Sequence, residues 1–98
     1  MAYKFESITV AATAVSLTAA NYTTVASEAG QNFRRAVCTV ETAQIRFRVD
    51  GTAPTSAEGH IANVDDIIKL DRHEASLFQA IRTGSTSGVL KVSYEVQT

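Results

Sequence analysis

The residues able to carry acid–base, nucleophilic or metal chemistry are few and widely spaced in this sequence. His60 and His73 stand thirteen positions apart, and neither lies in a His-x-x-x-His or His-Glu-x-x-His spacing. Cys38 is the single cysteine, so it can form no internal disulfide. It alternates with Ala36 and Val40, which indicates a small core residue and not a thiolate nucleophile. We therefore interpret both histidines as polar loop residues and Cys38 as part of the core.

The acidic residues show no pattern of a cation site. Asp65, Asp66, Asp71 and Glu74 are close in sequence, but the alternating acids and central glycine of a calcium loop are missing. We interpret them as solvated loop acids. The sequence therefore favours a protein that is not an enzyme and that carries no cofactor and no metal.

Four arginines form the strongest local charge feature and could share one face of a sheet: Arg34, Arg35, Arg46 and Arg48. Glu41 and Asp50 lie on the same alternation and would partly neutralise them, so a solvated charged face stays an alternative. The sharper interpretation is an interface patch, because the planar guanidinium group pairs well with carboxylates at protein surfaces. Arg35, Arg46 and Arg48 are therefore candidate interface residues, together with the aromatic Tyr3 and Phe5.

The length and charge of the chain limit its class. Its 98 residues and 10.5 kDa predict one domain, residues 1–98. Nine Lys and Arg against ten Asp and Glu give a net charge of −1, so no basic field favours nucleic acid. No run of eighteen apolar residues predicts a membrane span. The lone cysteine is typical of a reducing cytosol.

The composition predicts an all-β fold. Valine, isoleucine and threonine make up 28 of 98 residues, whereas leucine makes up four, and β-branched residues favour pleated, half-buried strands. The glycines and the only proline, Pro54, fall mainly between apolar segments and mark turns. We predict a single immunoglobulin-like antiparallel β-sandwich of about seven short strands.

Alternating apolar residues place several of these strands. A first strand is predicted at Lys4–Val10, and a bulge or turn near Thr13 separates it from a second. Asn21–Gln31 is interpreted as a long connection. A short strand follows at Asp65–Leu70. Val89–Val96 gives the clearest alternation of the chain, and we expect Leu90, Val92, Tyr94 and Val96 to point inward.

Two segments leave alternatives open. Ala36–Val40 and Ile45–Val49 could form a hairpin with Val40 facing Ile45, but Thr42-Ala43 is poor chemistry for a tight turn, so the strands could instead lie in opposite sheets.

Residues 72–82 fit a helix or a strand. Asp71 and Glu74 have the spacing of a capping box, and Leu77, Phe78 and Ile81 recur at helical intervals, yet the same stretch also alternates as a strand. We favour the strand, because the rest of the chain is β.

One segment carries a family resemblance. Residues 45–55 read Ile-Arg-Phe-Arg-Val-Asp-Gly-Thr-Ala-Pro-Thr, and Gly59-His60-Ile61 follows. This strand running into Asp-Gly-Thr-x-Pro-Thr resembles a segment of small virion proteins of tailed bacteriophages. Residues 78–82 and 89–94 are similar to the remainder of that pattern, so the resemblance covers roughly Val15 to Tyr94. A similar strand and turn occurs in immunoglobulin-like modules appended to bacterial glycoside hydrolases.

The turn itself needs no catalytic explanation. Asp50 can accept hydrogen bonds from amides of its own turn, Gly51 permits positive φ, and Pro54 stiffens the loop that Thr55 continues. We interpret Asp50, Gly51, Pro54 and Thr55 as a structural turn. Because predicted strands lie close to both ends of the sequence, we expect a free-standing domain without an attached enzyme.

The resemblance implies a virion structural protein, assembled in the host cytoplasm. A capsid decoration or cement protein that stabilises the assembled head is the leading expectation, with the major capsid protein or other virion subunits, and further copies of itself, as partners. A tail, neck or fibre accessory protein is an alternative within the same class. A small glycan-binding sandwich is the alternative from another class, and Tyr3, Tyr22 or Tyr94 would have to supply its exposed aromatic row.

Overall fold

The computed structural model describes the main chain of residues 2–18 and 32–97 and the side chains of residues 4–18 and 34–95. The connection predicted at Asn21–Gln31 lies outside these residues. Eight strands and one short helix follow in chain order: β1 (Ala2–Val10), β2 (Val15–Ser16), β3 (Asn32–Glu41), β4 (Ile45–Arg48), β5 (His60–Ala62), β6 (Ile67–Asp71), α1 (Arg72–Leu77), β7 (Gln79–Arg82) and β8 (Gly88–Gln97).

The described strands form two antiparallel sheets of four strands each, which confirms the predicted all-β sandwich. The first sheet has the order β1-β8-β3-β6, and the second has the order β2-β7-β4-β5. Strands one and eight, two and seven, three and six, and four and five pair with each other. This is the pairing of one long hairpin rolled up on itself, which is the jelly-roll arrangement.

The strand order differs from the immunoglobulin-like order that we expected. In an immunoglobulin domain the first strand lies beside the second in one sheet. Here β1 lies beside β8, and each of the connections β1–β2, β3–β4, β5–β6 and β7–β8 crosses from one sheet to the other. The described residues form eight strands, against about seven predicted for the chain.

The core lies between the sheets and follows the alternation read from the sequence. Along β8, Leu90, Val92 and Tyr94 are fully buried, as predicted. Ala36, Cys38 and Val40 of β3 lie beside them in the same sheet. Ile45, Ala80 and Phe78 are buried on the side of the second sheet. Full burial of a large aliphatic or aromatic side chain is worth about 1.5–3 kcal/mol, so this shared layer holds the sheets together.

One acidic side chain also points inward. Glu6 has the same parity along β1 as the inward-facing Ile8 and Val10. Its carboxylate accepts hydrogen bonds from the Tyr94 hydroxyl and from the Thr18 hydroxyl, the latter at 2.7 Å. The Thr18 amide donates a further bond at 3.3 Å. Glu6 therefore ties β1 to β8 and to the segment after β2.

The connection between β3 and β4 resolves the first open alternative in favour of opposite sheets. β3 belongs to the first sheet and β4 to the second, so Val40 pairs with Leu90, and Ile45 pairs with Ala62 and Arg82. Thr42 takes a φ of 76° at the crossing. A two-residue hairpin turn is therefore not formed.

The stretch 72–82 contains both a helix and a strand, so the preference for strand is correct only for its second half. Asp71 begins α1 with a capping box: its carboxylate accepts from the Glu74 amide at 2.8 Å, and the Glu74 carboxylate accepts from the Asp71 amide at 3.0 Å. Phe78 is extended and ends the helix, and β7 follows. The local cap prevails over the β character of the neighbouring segments.

Candidate interaction surface

The Asp50 turn lies at the end of β4. The Asp50 carboxylate accepts a hydrogen bond from the Thr52 amide at 3.1 Å, and Gly51 has a φ of 84°, a conformation that glycine adopts without strain. The turn is therefore closed by its own residues.

The next residues form a second tight turn. The main chains of Thr55 and Glu58 exchange two hydrogen bonds of 3.0 and 3.2 Å. The Thr55 hydroxyl accepts from the amides of Ala57 and Glu58 at 3.2 and 3.0 Å. Pro54 is buried beside Gly59. The loop after β4 is thus ordered by its own hydrogen bonds and by the burial of its proline.

Arg48 and Asp50 form a two-pronged ion pair on the exposed side of this loop. The Arg48 Nε donates to Asp50 Oδ1 at 3.1 Å, and Nη2 donates to Oδ2. The hydrogen bond from Arg48 is the main cause that lowers the pKa of Asp50, and the bond from the Thr52 amide adds to it. The pair therefore stiffens the turn, and the charged groups of Arg48 and Asp50 are bonded to each other.

Arg46 fixes the loop to the outer face of the second sheet. Its Nε donates to the Ser56 carbonyl at 3.0 Å, and its Nη1 donates to the Gly59 carbonyl at 2.8 Å. A guanidinium group bound to two carbonyls within its own chain has a structural role, so Arg46 is a loop clamp.

Arg35 lies in the first sheet and apart from these two. Its Nε donates to Glu95 Oε1 at 2.6 Å across the β3–β8 pair. β3 and β4 belong to different sheets, and Arg35 alternates with the buried Ala36 while Arg46 alternates with the buried Ile45. The arginines therefore face away from each other, on opposite sides of the sandwich, and do not form one patch.

The aromatic candidates lie on β1, an edge strand of the first sheet. Phe5 is 61 % exposed and points away from the core. Tyr3 belongs to the same strand, but its side chain lies outside the described residues. Of the five candidate interface residues, Phe5 has the most exposed apolar surface among those described.

Three further exposed apolar residues were missed by the sequence reasoning. Ile61, Val64 and Ile67 are 48, 45 and 63 % exposed, and they fall within seven positions where the chain passes from β5 to β6. The signal for Ile67 was present, because adjacent strand residues point to opposite faces and Ile68 is buried. We take these exposed apolar side chains, at the side of the sandwich where β5 and β6 end the two sheets, as a candidate interaction surface.

The alternative glycan site loses one of its three aromatic residues. Tyr94 is fully buried beneath Glu6 and cannot stack on a sugar. Tyr22 and the side chain of Tyr3 lie outside the described residues.

His60 lines a shallow depression of about 370 Å³ beside the Asp50 turn, with Arg48, Val49, Asp50, Glu58 and Gly59. Its ring contacts Phe47 at a tilt of 44°, with the ring centroids 5.6 Å apart. Asp50 is held by Arg48, and among the described side chains neither Asp50 nor Glu58 hydrogen-bonds to His60. His73 lies on α1 and is not part of this depression.

A second depression of about 420 Å³ lies between the Pro54 loop and the turn after β7. It is lined by Ala12, Pro54, Thr55, Ser56, Ile81, Arg82, Thr83 and Gly84. Its lining combines apolar side chains, hydroxyl groups and the Arg82 guanidinium, and none of these described polar side chains is fully buried.

The Cys38 thiol is buried in the core. Burial, with a smaller contribution from the Glu6 carboxylate, raises the pKa of Cys38 to about 12. The thiol therefore stays protonated at neutral pH and is a poor nucleophile.

In residues 2–18 and 32–97, no group of three histidine, cysteine or acidic side chains is placed to hold a metal ion. The same part of the chain contains no helix of sufficient length and apolar character to span a bilayer. We compared the chain with family models, with curated proteins and with solved structures, and none of the three comparisons gave a match.

Proposed function

We propose that this protein is a structural subunit of a tailed-bacteriophage virion, most simply a decoration or cement protein on the assembled head. The observation that carries the proposal is the placement of four exposed large apolar side chains on the sides of a stiff β-sandwich: Phe5, Ile61, Val64 and Ile67. A small domain that presents such side chains on ordered strands is suited to bind other protein surfaces.

Two further observations support the virion placement. The segment of residues 45–55, which carries the phage resemblance, runs from β4 into two hydrogen-bonded turns. Arg46 and the Arg48–Asp50 pair hold these turns. The jelly-roll order also recurs in viral capsid proteins, although it occurs in lectins and cupins as well, so it supports a fold-level analogy only.

The mechanism follows from mass action. A subunit that binds the assembled shell and not the free capsid protein stabilises the shell by its binding free energy. Many copies on one particle multiply a modest affinity per site. To bind a shell, a decoration protein needs an ordered surface with exposed apolar side chains, and the sandwich has both.

Copy number in purified virions tests this proposal. We expect quantitative mass spectrometry of the phage that encodes the chain to find on the order of hundreds of copies per particle, as repeated shell sites require. About six or twelve copies would place the protein in the tail or neck, the alternative within the same class. If mass spectrometry finds no copy of the protein in purified virions, the proposal is overturned. A glycan-array screen would then test the lectin-like alternative.

A further inference from the structure

The four exposed large apolar residues lie on the two lateral sides of the sandwich. Phe5 is on β1, the first edge strand of the first sheet. Ile61 is on β5, Val64 is in the following turn and Ile67 is on β6, and β5 and β6 are the edge strands at the other side. An exposed apolar side chain therefore stands at each edge of the first sheet, Phe5 on β1 and Ile67 on β6.

Both edges of the first sheet are open within the described residues. β1 pairs with β8 alone, and β6 pairs with β3 alone. An open edge presents main-chain amide and carbonyl groups that can pair with another strand. Natural proteins shield such edges, or they use them to bind.

The strand directions make one pairing between copies favourable. Neighbouring strands in the first sheet are antiparallel, so β1 and β6, at the two ends of a four-stranded sheet, run in opposite directions. If the sheet of one copy continues into the next, β6 meets the neighbour's β1 as an antiparallel pair. No strand has to turn round for this contact.

The side-chain alternation restricts the register of that pair. Phe5 alternates with inward-facing residues, and Ile67 alternates with the buried Ile68, so both lie on the outer face of the first sheet. A shift by one residue would put one of them on the wrong face. The registers that keep both faces differ by steps of two residues, and those that bring Phe5 against Ile67 place it directly opposite or one step diagonal, within reach of an aromatic ring.

One pair of opposite charges lies near these residues. The Lys91 ammonium donates to the Ser7 hydroxyl at 2.9 Å, beside Phe5 on the outer face. Asp65 is exposed and lies two positions before Ile67. When Phe5 stands opposite Ile67, Ser7 and the Lys91 ammonium beside it lie next to the turn before β6, which carries Asp65 with a φ of 76°. The Lys91 ammonium of one copy and the Asp65 carboxylate of the next are then at the same end of the contact.

We propose that copies of this chain bind each other side to side, with β1 of one copy added to β6 of the next and Phe5 packed on Ile67. This contact covers both edges of the first sheet. Two-fold pairing of β1 with β1, or of β6 with β6, would cover only one. A head-to-tail contact of this kind gives a closed ring when its rotation closes and a filament when it does not.

Disulfide cross-linking of the purified protein tests the contact without any virion. Directly opposite residues in an antiparallel pair lie about 4.5–5.5 Å apart at Cα, which suits a disulfide. We expect the double variant Phe5→Cys with Ile67→Cys to form trimers and larger species under mild oxidation, while either single variant stops at dimers. Cys38 can stay in place, because its buried thiol is protonated.

Ser93→Cys with Ile67→Cys is the matched control, because Ser93 lies on the same outer face but on the central strand β8. It should give few species above the dimer. The proposal is overturned when the Phe5 double variant gives no more large species than this control. The proposal is also overturned when Ile67→Cys alone converts as large a fraction of the protein into dimers as the double variant converts into cross-linked species of any size. That result indicates two-fold pairing of β6 with β6.

Sedimentation of the protein without added cysteines gives an independent readout. We expect the mass to rise with concentration and Ile67→Asp to weaken the association by about tenfold or more, as for a central apolar contact. Ser85→Asp, in the exposed turn before β8, should have no effect. A monomer at every concentration, or an oligomer that Ile67→Asp leaves unchanged, contradicts the proposal. Because both tests use purified protein, the virion placement can fail or hold independently.

Discussion

At the scale of single residues, arginines that are close in the sequence lie on opposite sides of the folded protein. Arg46 and Arg48 alternate on one strand, and both hold the loop that follows it. Arg35 pairs with Glu95, which lies sixty positions away. The sequence alone could predict the Asp50 turn, because its chemistry is local. It could not predict Glu95 as a partner, because that contact depends on which strands become neighbours.

The ion pair at Asp50 gives a pH prediction. Arg48 lowers the pKa of Asp50 below its ordinary value of 3.8 in the folded state, so this carboxylate adds stability above that value, and the stability is lost as the pH falls through the folded pKa. We expect an NMR titration of the Asp50 carboxyl to give a midpoint below 3.8. Arg48→Gln should move it back upward. An unchanged midpoint in that variant would show that Arg48 is not the cause.

Cys38 gives a prediction of opposite sign. Its pKa rises from 9.0 to about 12 on folding, so between these values the unfolded chain releases the thiol proton and the folded chain keeps it. The free energy of unfolding should therefore fall as the pH rises through this range, by up to about 1.4 kcal/mol per pH unit. Chemical unfolding at several pH values measures this slope. Cys38→Ala should have a shallower slope, and equal slopes would contradict the assignment.

At the scale of elements, strands with clean alternation were predictable and their pairing was not. Leu90, Val92 and Tyr94 fix the faces of β8 from the sequence alone. The helix α1 was harder to predict, because a six-residue segment is too short to distinguish the helical period of 3.6 residues from the strand period of two. The reciprocal hydrogen bonds of Asp71 and Glu74 decide in favour of the helix.

The capping box of α1 can be tested directly. Asp71→Ala removes the acceptor for the Glu74 amide and should destabilise the protein by about 1 kcal/mol in urea unfolding. Asp71→Asn keeps an acceptor at the cap and should be close to the parent. A similar loss in both variants would show that the charge of Asp71, and not the cap, matters.

Gly88 tests the close approach of β8 to the β3–β4 crossing. A Cβ at this position would lie 2.7 Å from Ile45 Cγ2 and 2.8 Å from the Ala43 carbonyl oxygen. We expect Gly88→Ala to cost about 1–3 kcal/mol, because a buried strand and a backbone carbonyl would have to move. Gly84→Ala is the control, since a Cβ there meets open space. Equal unfolding midpoints would contradict the packing described here.

At the scale of the whole molecule, local patterns predicted two layers of strands but not their order. The rolled-up arrangement depends on contacts such as Ile8 with Leu90, which join the two ends of the described chain. Local alternation carries no information about such partners. The candidate surface follows the same rule: Phe5 was predictable as an exposed aromatic, whereas its relation to Ile67 on the opposite edge appears only in the folded sheet.

The central claim is that this sandwich works by occupying the surface of an assembled particle. The most direct measurement adds purified protein to expanded heads that lack it and follows both bound protein and the temperature at which the heads release their DNA. The account predicts saturable binding to assembled heads, no binding to free capsid protein, and a higher release temperature. Absence of binding together with an unchanged release temperature would contradict it.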